Sequence, residues 1–102
     1  MAYGNTLAAL ADPTRRHVFE RLKSGPHAVA EIARGMPVSR PAVSQHLKVL
    51  KESGLVAERR QGTRHYFAIA PEGLGELRAY LDGLWSDALA AFTRHVERER
   101  DS

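Results

Sequence analysis

Apolar residues recur with a helical period along most of the chain, give way once to strand-like runs past the middle, and return to the helical period for the last third. Leu7 and Leu10 begin the pattern, with Asn5 placed to cap a short first helix. The word "ADPTRR" restarts it, because Asp12 suits an N-cap and Pro13 suits a first helical position, where its missing N–H costs nothing. Val18, Phe19 and Leu22 carry the second stripe to about Ser24, where "SGP" ends it. Val29, Ile32 and Ala33 mark a short third helix, broken by Gly35 and Pro37. Ser39 then opens a fourth helix in "SRPAVSQHLKVLKESGLV". Val43, Leu47 and Leu50 fall on one face of it, while Pro41, Ser44, Gln45 and Lys48 fall on the other. Gly54 stands where a left-handed residue ends such a helix.

In "LVAERRQGTRHYFAIA", two strand-like runs flank Gly62 and Thr63, which suit the centre of a type II′ hairpin turn. Arg59, Arg60, Arg64 and His65 gather at its tip. From Pro71 the helical period resumes through Leu74, Leu77, Leu81, Leu84, Ala88, Phe92 and Val96. Unbroken, that stripe runs for about 40 Å and requires a partner surface.

Composition narrows the chemistry. At 102 residues and 43% hydrophobic, the chain predicts one domain with a modest core that a second copy would reinforce. It has no cysteine, which excludes disulfides, thiolate metal sites and cysteine nucleophiles. "MAYGNTLAALADP" lacks the basic and apolar regions of a secretion signal, and no apolar run is long enough to span a bilayer, so a cytoplasmic protein without a membrane partner is expected. Fifteen Lys and Arg against twelve Asp and Glu leave +3. The cations crowd residues 40–65, so the charge is a local basic surface facing a polyanion.

A helix with an uncrowded polar face, preceded by a shorter helix and a tight turn and followed by a basic two-stranded ribbon, is a helix-turn-helix with a wing. The small residues Ser39, Pro41, Ala42 and Ser44 let the helix enter a major groove. Gln45 has the paired donor and acceptor that match adenine, Arg40 suits guanine or phosphate, Ser44 suits base or backbone, and Lys48 suits phosphate. The wing arginines suit the minor groove or backbone. The words "LADPTRRHVFERL", "EIARGMPVSRPAVSQHLKVLKESGLV" and "RRQGTRHYFAI" resemble the ArsR/SmtB family of bacterial winged-helix repressors over about residues 5–96.

The resemblance implies a mainly α fold with a two-stranded β-wing, in the order α-α-α-α-β-β-α. It places the helix-turn-helix at about 28–53, the wing at about 55–70 and a dimerisation helix at about 72–98. It further implies a homodimer through the first and last helices, with Leu7, Leu10, Leu77, Leu81, Leu84, Trp85, Ala88 and Phe92 in the interface. The DNA-facing set combines Ser39, Arg40, Pro41, Ser44, Gln45, His46 and Lys48 on the helix with Arg59, Arg60, Gly62, Thr63 and Arg64 in the wing. The partner is then an operator in double-stranded DNA, read as an inverted repeat, in some cases upstream of the regulator's own gene. Many family members sense metals through the last helix. Here Asp82 and His95 match two of four such ligand positions, but Leu84 and Arg98 occupy the others, a poor donor set for zinc. No cofactor or metal is therefore expected, and the Leu81-x-x-x-Trp85 pattern resembles a cysteine-free branch whose inducer is often unknown.

Two other classes compete. A winged-helix module for protein interaction would present acidic or bulky apolar residues outward, where this helix presents Arg40, Gln45 and Lys48. An enzyme would need a nucleophile and base side by side, but Ser44 and His46 project about 200° apart on their helix. For Arg15 and Arg16 a surface or ion-pair role is favoured over DNA contact, and "ERERDS" reads as a frayed, solvated end.

Overall fold

The computed structural model describes residues 2–101, with side chains from Asn5 onward. Helix α1 (Ala2–Ala11) already includes Asn5, so the expected cap lies inside the helix instead of at its start. Helix α2 (Pro13–Glu20) begins as its sequence dictates, with the Asp12 carboxylate accepting from the Arg15 N–H at 2.9 Å and proline in the first turn. A 3₁₀ turn over Arg21–Ser24 completes it. Arg15 and Arg16 have a structural task that the sequence did not disclose. Their guanidinium groups donate to the carbonyls of Ala9 (2.7 Å) and Leu10 (3.0 Å), satisfying the acceptors at the end of α1.

Helix α3 (Val29–Arg34) is followed by the turn into α4 (Arg40–Glu52). The end of α4 is closed twice over, by Gly54 N–H to Lys51 at 3.1 Å and Leu55 N–H to Leu50 at 3.0 Å, with Gly54 at φ 83°. That double closure is the Schellman arrangement, and it drives Leu55 into the core. Strands β1 (Val56–Gln61) and β2 (Arg64–Ile69) pair antiparallel, Val56 with Ile69 through Gln61 with Arg64. His27 adds a short third rung, exchanging two backbone hydrogen bonds with Phe67 at 3.0 and 2.9 Å.

Val18, Leu22, Ile32, Val43, Leu47, Leu50 and Leu55 form the fully buried centre. The long helix α5 (Pro71–Arg100) leaves this body at a fixed point. The Ala70 N–H donates to Leu55 at 2.8 Å, and Gly73 lies so close to the Gly54 carbonyl that a side chain there would collide with backbone. Leu77 is only 6% exposed, so this expected interface residue is used inside the chain; Leu10, also assigned to the interface, packs against the core. Both follow from the first turns of α5 and the last turn of α1 lying against the body. Beyond Leu77 the helix projects into solvent without fraying, and "ERER" is helical to Arg100. The projection accounts for a radius of gyration of 18.4 Å, against about 13 Å for a compact chain of this length.

Candidate nucleic-acid interface

Helix α4 separates its two faces cleanly. Val43, Leu47 and Leu50 are fully buried, while Arg40, Pro41, Ser44, Gln45 and Lys48 are exposed. The Ser39 hydroxyl accepts from the Ala42 N–H at 3.2 Å, which fixes the start of the helix and with it the direction in which Arg40 and Ser44 project. His46 is half-buried at the edge between the faces and close enough to Asp12 to help, behind the Arg15 backbone hydrogen bond and charge, to hold that carboxyl below its ordinary range. It is thus turned partly toward α2, in contrast to Gln45.

The wing is built on a two-residue turn. Gly62 has φ 63° and Thr63 does not take a positive φ, the combination a type II′ turn requires. Side chains alternate along the strands, and paired residues share a face. Val56, Glu58 and Arg60, with their partners Ile69, Phe67 and His65, therefore look toward the body. Arg59 with Tyr66, and Gln61 with Arg64, look away. The basic residues of the hairpin consequently divide: Arg60 and His65 face inward near the tip, and Arg59 and Arg64 face outward. Arg64 donates to the Tyr66 hydroxyl at 3.5 Å, and this contact raises its pKa further above its already high value.

Between helix and wing lies a cleft of about 390 Å³ lined by Ser44, Lys48 and Lys51 of α4, Glu58 and His65 of the wing, and Val29 and Phe67. Glu58 was not anticipated as a site residue. Its two carboxylate oxygens accept from Lys51 Nζ and His65 Nδ1, each at 3.1 Å, and the lysine, followed by the histidine, holds the carboxyl below its usual range. The signal was weak in the sequence because the three partners lie on three different elements.

At the far end of the chain, Leu81, Leu84, Trp85, Leu89 and Phe92 are all exposed along one side of α5, Trp85 by 66% and Phe92 by 64%. Leu7 of α1 is exposed too, at 42%. Leu89 and Tyr80 extend this surface beyond the predicted stripe. Asp82 pairs with Arg78 at 3.7 Å and His95 with Glu99 at 3.1 Å. Being thirteen positions apart on one helix, Asp82 and His95 are separated by about 20 Å and cannot share an ion within one chain. Among the described residues no three His, Asp or Glu side chains converge as a metal site, and no helix is long and apolar enough to cross a membrane.

A helix-turn-helix domain family matches residues 10–59, spanning α2 through most of β1. The chain is 54% identical over 93 residues to the HTH-type transcriptional regulator Rv2034 of Mycobacterium tuberculosis, covering 91% of this chain and 87% of that one. An ArsR-like transcriptional regulator from Rhodococcus sp. RHA1 superposes with a TM-score of 0.78 at 27% identity, covering 91% of both chains. The chain belongs to the ArsR/SmtB family of winged-helix transcriptional regulators. Another solved relative, the domain Mb0332 of Mycobacterium bovis, is described as a homodimeric winged helix-turn-helix DNA-binding domain. It is 33% identical, with a TM-score of 0.68, covering 86% of this chain and 82% of that one. With this winged helix-turn-helix fold, the β1–β2 sheet is the wing and the chain is a DNA-binding transcriptional regulator.

Proposed function

We propose that the protein is a repressor that binds an imperfect inverted-repeat operator as a homodimer in the cytoplasm and releases it in response to a signal that changes the dimer's geometry. The observation that carries this reading is the outward row of Arg40, Pro41, Ser44, Gln45 and Lys48 on a helix whose opposite face is wholly committed to the core. A rigid helix of this kind presents donors and acceptors at fixed positions, the condition for discriminating base edges. Arg40 and Gln45 read bases, Lys48 and the wing arginines Arg59, Arg60 and Arg64 meet phosphate or minor groove, and Ser39, Pro41, Gly62 and Thr63 shape the two elements. Two such helices related by a twofold axis would enter successive major grooves about 34 Å apart. The apolar side of α5 supports the dimer, since an exposed stripe of Leu81, Leu84, Trp85, Ala88 and Phe92 is costly to leave in water.

The direct test is an electrophoretic shift assay of the purified protein on DNA upstream of its own gene, with random competitor and a salt series. A discrete complex that resists competitor is expected. The Arg40→Ala/Gln45→Ala variant should lose about 1 to 3 kcal/mol per base contact while remaining a dimer by sedimentation. Unchanged operator binding by that variant refutes the assigned reading face. Binding that competitor and modest salt abolish would favour a protein-interaction module.

A further inference from the structure

We infer that Glu58 is a positioning residue for operator recognition, latching the wing to the recognition helix so that both engage one duplex in register. The inference rests on the DNA-binding reading of α4 and the hairpin. A duplex that takes a helix in its major groove and a wing in the adjacent minor groove presents one phosphate strand between them. The matching feature here is the cleft whose walls are Ser44, Lys48 and Lys51 on one side and Glu58 and His65 on the other. A carboxylate facing that strand opposes binding by simple charge, so its presence there calls for a compensating role.

The geometry supplies one. Glu58 is the only carboxylate of the hairpin, and its two oxygens are divided between two elements: one accepts from Lys51 near the end of α4, the other from His65 on β2, each at 3.1 Å. Its side chain is 27% exposed, the least of the three, against 53% for Lys51 and 42% for His65. Among the described residues, no other side-chain hydrogen bond or ion pair joins the wing to α4. The Lys51–Glu58 pair therefore ties the hairpin to the last turns of α4 at the level of Phe67, the cross-strand partner of Glu58, and adds a polar tie to the hydrophobic contacts that Phe67 and Val56 make with the body. Lys48, on the same wall and without an ion-pair partner among the described residues, is left for phosphate.

Positioning and charge predict opposite signs, so they separate experimentally. Glu58→Gln removes the negative charge and with it both ion pairs, leaving one neutral amide oxygen where two acceptors bridged Lys51 and His65. Duplexes selected from random-sequence DNA by the wild-type protein, and scrambled versions of them, serve as specific and nonspecific probes, with dissociation constants measured over a salt series. The expected result is a fall of about tenfold in the specific-to-nonspecific affinity ratio, with nonspecific binding unchanged or tighter. Glu58→Asp keeps the charge but is too short to span both partners, and should lose the ratio with nonspecific binding unchanged. Lys51→Met in the Glu58→Gln background should add little further loss of the ratio, because the latch is already open. Thermal melts of each variant show that the fold persists. Both affinities rising together in Glu58→Gln, or the ratio surviving in both Glu58 variants, overturns the latch while leaving the DNA-binding reading intact. A wild-type protein that selects no sequence overturns both.

Discussion

The body of the molecule and the outer part of α5 obey different rules. In the body, every large apolar residue of α4 is buried or half-buried, helix ends are capped by Asp12, Ser39, Arg15 and Gly54, and Val43, Leu47 and Leu50 have no exposure at all. Beyond Leu77 the same chain places Leu81, Leu84, Trp85, Leu89, Phe92 and Val96 along one side of a helix and covers none of them. The period of the hydrophobic pattern is helical in both regions; what differs is where the partner comes from. The body satisfies its stripes with its own elements, whereas the α5 stripe calls for a surface outside the chain, which the proposed homodimer supplies.

The sharpest way to break this contrast is Leu84→Asp. Leu84 is 53% exposed, so the body has little to lose, but a carboxylate in the proposed seam must be desolvated. Sedimentation should show a monomer with a folded body, and operator affinity should fall by about 100-fold or more, because the two half-sites no longer bind as a linked pair. A dimer that persists places the seam on another face. Leu47→Ala asks the reverse question. Leu47 is fully buried in the body, and its truncation should lower unfolding free energy by about 2 to 5 kcal/mol in chemical denaturation. Leu84→Asp should alter that transition mainly through its dependence on protein concentration.

The body was also the more legible region in the sequence. Asp12, Ser39, Gly54 and Gly62 act through local chemistry, each setting its own turn or helix end, so reading them needs only a few neighbours. Recognition-face polarity on α4 was equally plain from its spacing. What escaped depends on contacts between distant residues: the Glu58 bridge, the reach of Arg15 and Arg16 back to α1, and the His27 rung on Phe67. That Leu10 and Leu77 pack within the chain itself was hidden for a related reason. Periodicity identifies the apolar side of a helix but not the residue at which that side passes from the body to a partner.

That crossing point can be tested at two glycines. A Cβ on Gly73 would meet the Gly54 carbonyl oxygen, so Gly73→Ala should move the base of α5 and cost about 1 to 3 kcal/mol. Gly75, two residues on, has open space where its Cβ would stand. Gly75→Ala should instead stabilise by up to about 1 kcal/mol, through helix propensity alone. If thermal melts rank the two alike, the close approach of α5 to the end of α4 does not set the helix's departure.

The smallest expected effect concerns acid, and it belongs to the body. Backbone N–H donation from Arg15 lowers the pKa of Asp12, donation from Ala28 and then His27 lowers that of Glu31, and Lys51 and then His65 lower that of Glu58. A carboxyl whose folded pKa lies below its unfolded value contributes stability that is complete above the unfolded value and disappears as pH falls through the folded one. The melting temperature should therefore be insensitive to these groups from neutrality to about pH 5 and decline below about pH 4. Glu31→Gln, which keeps an acceptor for the Ala28 N–H but loses the charge, and Glu58→Gln should each start lower at pH 7 and fall less steeply on acidification. Since all three carboxylates are solvent-accessible, each difference should be small and shrink in high salt. A decline of unchanged steepness in both variants would assign the acid sensitivity to other groups, and with it remove the body's electrostatic share of the contrast with α5.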